Sequence, residues 1–233
     1  MMLDVFFAAL ALVGGHQGTP ASELIGHSAR GRPIRAVAYG RPDAARTILL
    51  VGCIHGDECE GTKITRRVAG AADAAPRVAR IVIVHQLNPD GHRLGVRQNG
   101  RGVDLNRNFA SEWIPIGTRW DPQYSGPRPW SEPETRIARR LVQRIRPDIT
   151  IWYHQPQALV RAWGPSRPAA RRYADYAGEP YRSIRWPNGT APNWQNHTFA
   201  GTSSFVVELP AGVLSRESAA RHARAVIRLA RTG

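Results

Sequence analysis

Short segments that are apolar at nearly every position restrict this chain to an α/β architecture. Residues 47–52 (TILLVG) and 81–84 (IVIV) lack the alternation of a strand with one face in water. They therefore predict strands buried on both faces, as at the centre of a parallel sheet. The other predicted strands are 34–39, 148–153 and 205–207, and the predicted helices are 61–69, 131–146, 169–177 and 215–231. Because strands alternate with helices, we predict one α/β domain with a mostly parallel or mixed sheet that is covered on both faces.

Two segments break this pattern and are predicted to be irregular. Residues 88–130 are rich in Gly, Pro, Asn and Arg but also contain aromatics, which favours a folded functional loop. Residues 155–204 form the second segment, apart from the short helix at 169–177. Between the two, Ser131 is the predicted N-cap of a helix, and Glu134 is predicted to complete its capping box.

Length and charge set broad limits on function. The chain has 233 residues, of which 42% are hydrophobic, enough for one domain with its own core. Its formal net charge is +14, and Lys63 is the only lysine. The arginines either form a solvated surface or attract a polyanion such as a cell-wall polymer. They are spread along the chain without a nucleic-acid-binding motif, so we expect no nucleic-acid partner.

The first residues have some features of an export signal. The apolar stretch from Leu3 to Val13 is too short to cross a bilayer as a helix. Asp4 lies where a signal peptide carries positive charge, and no Lys or Arg precedes Arg30. We assign 1–21 as a candidate signal peptide or leader and 22–233 as the catalytic domain. Secretion, the cell envelope and the cytoplasm all stay open as locations, and no transmembrane segment is predicted.

Side chains that can bind a metal follow the buried strands. His55 and Glu58 come shortly after the strand at 47–52, with Gly56 allowing a tight turn, and His154 follows the strand at 148–153. Ligands of such sheets bind beyond the carboxyl ends of the strands. A catalytic zinc takes three His or Asp/Glu ligands and leaves one position for water. We therefore predict one zinc ion bound by His55, Glu58 and His154.

Glu208 is the predicted general base. It follows the apolar strand 205–207 and precedes Leu209, a setting in which a carboxylate is costly to bury unless it is paired or functional. Beside a zinc ion it could accept a proton from the attacking water and pass it to the leaving amine. The alternative is a structural Glu that is paired with one of the many arginines.

Arg97, Asn106 and Arg107 lie in the irregular segment 88–130. An arginine fork and an Asn amide could hold a substrate carboxylate, and a further arginine could stabilise an oxyanion. The alternative is a loop held by local Arg–Asp pairs, for example with Asp104.

Cys53 and Cys59 bracket the first two predicted ligands. A disulfide between them would stiffen this segment and would suit an exported protein. Two small buried side chains are the alternative, and the spacing is not that of a C-x-x-C metal site.

The motifs together resemble the zinc carboxypeptidase (M14) family, and most closely its bacterial murein peptide amidase branch. The resemblance runs from about Ile25 to the C-terminus. The motifs that carry it are HGDE at 55–58, NPDG at 88–91, RQNGRGVDLNRNF at 97–109, SEPET at 131–135, His154 and VELPAG at 207–212.

The resemblance implies a single α/β/α domain with a mixed, mostly parallel and twisted sheet. It also implies a zinc peptidase that cleaves a C-terminal amide bond. It implies His55, Glu58 and His154 as zinc ligands and Glu208 as the base. It also implies Arg97 as a catalytic residue, with Asn106 and Arg107 binding the C-terminal carboxylate of a peptide. In the murein branch that peptide resembles L-Ala-γ-D-Glu-diaminopimelate, cut before diaminopimelate.

The chain departs from the family pattern at one position, and two other functions compete. Many members place a mobile Tyr between the third ligand and the base, but Tyr173, Tyr176 and Tyr181 do not align with it, and 186–194 lies nearer. The competing functions are a zinc acylase acting on N-acyl amino acids and an inactive relative that binds cell-wall polyanions.

Overall fold

One eight-stranded sheet forms the centre of the molecule. The computed structural model describes residues 20–72 and 79–232. The sheet has the strand order β1-β2-β4-β3-β5-β8-β6-β7. Its strands are β1 (Ala21–His27), β2 (Pro33–Tyr39), β3 (Arg46–Val51), β4 (Ala79–Val84), β5 (Ile149–His154), β6 (Gln157–Ala162), β7 (Tyr181–Ser183) and β8 (Ser203–Pro210). Four of the seven strand pairings are parallel and three are antiparallel, so the predicted mixed, mostly parallel sheet is confirmed.

The helices complete the α/β/α arrangement. They are α1 (Gly61–Ala72), α2 (Pro89–Leu94), α3 (Pro133–Ile145), α4 (Arg167–Ala177), α5 (Ala191–Thr198) and α6 (Arg216–Arg231). Helix α6 packs against both α1 and α4, whereas α3 contacts β1 and α5 contacts β8. Within the described ranges, no helix is both long and apolar enough to cross a bilayer. Of the predicted leader 1–21, residues 1–19 lie outside the described residues, and β1 begins at Ala21.

The segments that are apolar at nearly every position form the middle of the sheet. Strand β3 is paired on both sides, with β4 and with β5, and five of its six residues are buried. Ile48, Leu50 and Ile151 are each 0% exposed. Burial on both faces explains why these strands were predictable from the run of apolar residues.

The segment 155–204 was wrongly predicted to be largely irregular. It contains β6, β7 and α5. Strand β6 lies between β8 and the three-residue strand β7, and its first two residues are exposed. A strand near the edge of a sheet needs no continuous apolar run. The sequence therefore carried no strong signal for it.

The predicted capping box at the start of α3 is also wrong. The helix begins at Pro133, and Glu132 occupies the cap position without a side-chain cap bond. The Ser131 hydroxyl donates to the Glu132 carboxylate instead. The Glu134 carboxylate accepts from the backbone N–H of Ala29. Glu134 therefore connects α3 to the β1–β2 turn rather than capping its own helix.

Strand register places two of the predicted site residues side by side. Strands β3, β5 and β8 are neighbours and parallel, so their carboxyl ends meet at one edge of the sheet. His154 of β5 is paired directly with Glu208 of β8. Paired residues on adjacent strands project to the same face. Glu208 lies inside β8, which continues to Pro210, and not beyond the strand end as predicted.

A buried polar chain links β5 to α4 and α6. The hydroxyl oxygens of Tyr153 and Tyr173 are 3.3 Å apart, and the Tyr173 oxygen is 2.9 Å from His222 Nδ1. On the other side of the ring, His222 Nε2 lies 3.3 Å from Glu179 Oε1. Burial lowers the pKa of His222 to about 4. The charge of Arg221 also lowers this pKa, whereas Glu179 raises it.

We expect acid to destabilise the fold through His222. In the unfolded chain the imidazole of His222 is protonated as the pH falls below 6.5, whereas in the folded chain it stays neutral until the pH approaches 4. The free energy of unfolding should therefore fall as the pH drops through this window, by roughly 1 to 3 kcal/mol. Urea unfolding at about pH 7.5 and about pH 5 measures the difference, which His222→Gln should reduce. The exposed-site variant His27→Gln serves as control. Equal pH dependence in wild type and His222→Gln would contradict this role.

Candidate metal centre

The loop between β3 and α1 carries the first two predicted ligands. A disulfide joins Cys53 and Cys59 across this loop. Of the two interpretations of these cysteines, the structure therefore agrees with the disulfide and not with two separate buried side chains. A Cβ atom added at Gly56 would lie 2.0 Å from the carbonyl carbon of Gly91. Glycine is needed here because two backbone segments approach closely, and not for the tight turn predicted from the sequence.

Three side-chain atoms converge at the edge of the sheet. The Nδ1 atom of His55 lies 3.0 Å from Glu58 Oε2 and 3.1 Å from the Nδ1 atom of His154. The His154 Nδ1 atom is in turn 3.1 Å from Glu58 Oε2. Both imidazoles are buried, at 1% and 4% exposure. The residues predicted as metal ligands from distant parts of the chain therefore meet at one point.

The second ring nitrogen of His55 decides what this trio can bind. His55 Nε2 is 2.9 Å from Asp104 Oδ1. Burial would raise the pKa of Asp104, but His55 and Arg97 hold it well below its usual range, so the carboxylate is ionised and can only accept. In the neutral ring, Nε2 therefore carries the proton and Nδ1 turns a lone pair towards Glu58. Although burial disfavours it, Asp104 and Glu58 raise the pKa of His55, so this point favours a positive charge. Two imidazole nitrogens and a carboxylate oxygen that converge there are a donor set that fits a zinc ion.

Arg97 binds the carboxylate oxygen of Glu58 that does not face the two imidazoles. Its Nη1 atom donates to Glu58 Oε1 at 2.5 Å, and its Nε atom donates to Asp104 Oδ2 at 3.0 Å. Burial would raise the pKa of Glu58, but His55 and His154 hold it well below its usual range. Glu58 is thus ionised, with one oxygen facing the two imidazoles and the other on Arg97. Arg97 also lines the cavity in front of the trio.

Glu208 faces the same cavity with an unused oxygen. The residue is 8% exposed. Within the described part of the chain, its buried Oε2 atom has no hydrogen-bond partner. A buried carboxylate oxygen without a partner costs stability, and such costs concentrate at functional sites.

The cavity has a volume of about 190 Å³ and mainly polar walls. Asn106 is held in place, because its Oδ1 atom accepts from the backbone N–H of Ala191 at 2.9 Å. Arg107 donates from Nη1 to the backbone carbonyl of Asn106, whereas its buried Nε has no partner among the described residues. The cavity is lined by His55, Glu58, Arg97, Asn106, Arg107, His154, Gln155, Pro156, Gln157, Arg161, Trp186, Pro187, Thr190, Pro192, Val206 and Glu208.

The tyrosines considered for a mobile role lie elsewhere. Tyr173 is fully buried in the polar chain with His222, and Tyr176 lies beneath the guanidinium of Arg228. Among the described residues that line the cavity there is no tyrosine. Trp186 contributes to the wall, in agreement with the expectation that 186–194 lies nearer to the site.

Sequence reasoning missed several polar residues of this site, and two of them carry charge. Asp104 was considered only as a partner of a loop arginine, although its position two residues before Asn106 in the DLNRN string was a signal for a shared role. Arg161 was not considered. It lies in β6, a strand that was not predicted, so nothing in the sequence pattern pointed its side chain into the cavity.

Asp104→Asn should weaken zinc binding while leaving the size of the side chain almost unchanged. The loss of its charge makes His55 a poorer ligand and leaves the Arg97 guanidinium without one carboxylate. We expect the zinc dissociation constant to rise roughly 10- to 100-fold, measured by competition with a chromophoric chelator. The exposed-site variant Asp43→Asn should bind zinc like the wild type. An unchanged constant in Asp104→Asn would show that Asp104 does not support the ligand.

Comparison with known proteins finds curated relatives that share the name murein peptide amidase A. Murein peptide amidase A of Escherichia coli (strain K12) is 34% identical over 153 residues, 60% of this chain and 62% of that protein. Murein peptide amidase A of Vibrio campbellii is 31% identical over 157 residues, 61% of this chain and 60% of that protein. The matched part therefore spans less than two thirds of the length of these relatives.

Solved structures share the fold over nearly the whole chain. Murein-tripeptide amidase from Escherichia coli O157 has a TM-score of 0.74 at 28% identity, covering 92% of this chain and 93% of that chain. Carboxypeptidase A from Helicoverpa armigera has a TM-score of 0.80 at 17% identity, covering 92% and 68%, a likeness of fold. Residues 21–179, more than half of the chain, match the family model described as zinc carboxypeptidase. The chain belongs to the zinc carboxypeptidase (M14) family.

Proposed function

We propose that this protein is a zinc-dependent peptidase that hydrolyses the amide bond before the C-terminal residue of a peptide. The observation that carries the proposal is the position of Glu208. Its side chain lines the same cavity as His55, Glu58 and His154, and one of its carboxylate oxygens has no hydrogen-bond partner among the described residues. A metal ligand set and a free carboxylate on one cavity wall are the two parts that metal-assisted amide hydrolysis needs.

Each residue of the site has a proposed part in the reaction. Zinc, when bound, supplies Lewis acidity towards the scissile carbonyl and makes a water molecule more acidic. Glu208 accepts the proton of the attacking water and passes it to the nitrogen of the leaving amine. Arg97 has N–H groups beyond those used on Glu58 and Asp104, and these can donate to the carbonyl oxygen as it gains charge.

Asn106 and Arg107, which also line the cavity, are the proposed binding groups for the substrate. Arg107 offers a buried Nε–H without a partner in the described structure, and Asn106 lies beside it with its orientation fixed. We assign these two residues to the C-terminal carboxylate of the peptide. The names of the relatives favour a murein peptide, and we propose L-Ala-γ-D-Glu-diaminopimelate, cut at the γ-D-Glu–diaminopimelate bond.

Glu208→Gln tests the assignment of the base. The amide keeps the shape of the side chain but cannot accept the proton. We expect zinc content to stay at the wild-type level and kcat to fall roughly 10²- to 10⁴-fold, measured in parallel on the same preparations. Glu217→Gln, at an exposed position on α6, is the matched control. Turnover near the wild-type level in Glu208→Gln would remove Glu208 from the mechanism.

Metal analysis combined with a substrate panel tests the function itself. We expect about one zinc per chain and release of free diaminopimelate from L-Ala-γ-D-Glu-meso-diaminopimelate. Chelation should abolish the activity, and added zinc should restore it. Cleavage of ordinary C-terminal residues alone would keep the peptidase and remove the murein substrate. Activity on N-acyl amino acids alone would indicate a zinc acylase, and polyanion binding without any hydrolysis would indicate an inactive relative.

A further inference from the structure

Arg161 brings an additional positive charge into the cavity from strand β6. In the antiparallel pairing of β6 with β8, Arg161 is opposite Val206, and Leu159 is opposite Glu208. Residues two apart on a strand share a face, and so do residues directly opposite each other. Arg161 therefore projects from the same face of the sheet as Glu208 and is two residues along β6 from the residue opposite Glu208. It lines the cavity together with Val206.

Neighbouring groups hold the Arg161 side chain in place but leave one donor unused. Its Nη2 atom donates to the backbone carbonyl of Arg185, and its guanidinium carbon lies 5.4 Å from the ring centroid of Trp186. Its Nε atom is buried and, within the described ranges, has no hydrogen-bond partner. A fixed guanidinium with an unused buried N–H is arranged for an acceptor that comes from outside the chain.

Glu208 is the obvious internal partner for Arg161, but the two are not paired. The Glu208 charge acts on the Arg161 guanidinium, so the groups are near each other. Yet Arg161 Nε and Glu208 Oε2 are both buried without partners among the described residues. A structural ion pair would have satisfied both atoms, so Arg161 is not explained as a counter-ion that merely stabilises β8.

Arg161 and Arg107 also act on each other across the cavity. Burial lowers the pKa of both Arg107 and Arg161. The charge of Arg107 lowers the pKa of Arg161 further. In each of them the buried Nε–H has no hydrogen-bond partner in the part of the chain that the structure describes. Two guanidinium groups with unused N–H donors on one cavity favour a ligand that brings two negative groups.

We propose that Arg161 binds a second carboxylate, located on the side chain of the substrate's C-terminal residue, so that the site prefers a dicarboxylic amino acid there. This rests on the proposed function, in which Arg107 binds the α-carboxylate of the same residue. Glutamate, aspartate and diaminopimelate all carry the required second carboxylate. An arginine fork recognises a carboxylate better than the amide of the same shape, because it gains a charge-assisted hydrogen bond.

Two blocked peptides that differ only in a C-terminal Glu or Gln test this preference. For the wild type we expect kcat/KM to be roughly 10- to 100-fold higher for the Glu peptide. In Arg161→Gln the ratio should fall towards one, and in Arg161→Glu a peptide ending in Lys should be preferred over the one ending in Glu. Arg172→Gln, at an exposed position on α4, should keep the wild-type ratio.

Diaminopimelate is compared in the same way, with its side-chain carboxylate free or amidated. Zinc content and thermal unfolding of each variant show whether the protein is folded and loaded. A wild-type enzyme that cleaves the Glu and Gln peptides equally, or an Arg161→Gln variant that keeps the ratio, would overturn the proposal. Absence of hydrolysis of every peptide would instead refute the proposed function. Calorimetric binding of the Glu and Gln peptides to wild type and Arg161→Gln would then decide the role of Arg161.

Discussion

Three electron-pair donors that meet within about 3 Å are the constraint on which the rest of the site depends. The Nδ1 atoms of His55 and His154 face one oxygen of Glu58 at 3.0 and 3.1 Å. Unless a zinc ion or a proton lies between them, these electron pairs repel one another, so metal binding and the stability of this edge of the sheet are coupled. Arg97 and Asp104 offset part of this cost by holding the ligand carboxylate and the ring of His55 from outside.

The cavity divides its arginines between two tasks because of what each one already contacts. Arg97 uses donors on Glu58 and Asp104, so its position is tied to the metal ligands. Arg107 and Arg161 use donors on backbone carbonyls and keep a buried Nε–H each. The first arrangement favours work on the reacting carbonyl. The second favours recognition of substrate carboxylates.

Strands that are buried on both faces could be predicted from the sequence, whereas partly exposed strands could not. Strand β3 was recognised because it is buried on both faces, which demands apolar residues throughout. Strand β6 was missed because only two of its six residues are buried and it lies next to the last strand of the sheet. The predicted cap at Ser131 failed because Glu134 found tertiary partners in Ala29 and Asn99. Local patterns are reliable only where no distant group competes for the same side chain.

The sequence by itself determined the class of fold and the family, since a run of buried strands and the ordered motifs at His55, Asn106 and Glu208 are local properties of the chain. Only the tertiary structure decided which side chains face one another. The pairing of His154 with Glu208, the bond from His55 to Asp104 and the entry of Arg161 into the cavity all depend on strand register and loop packing. Register is a relation between segments far apart in sequence, and a shift of one residue would turn each of these side chains to the other face.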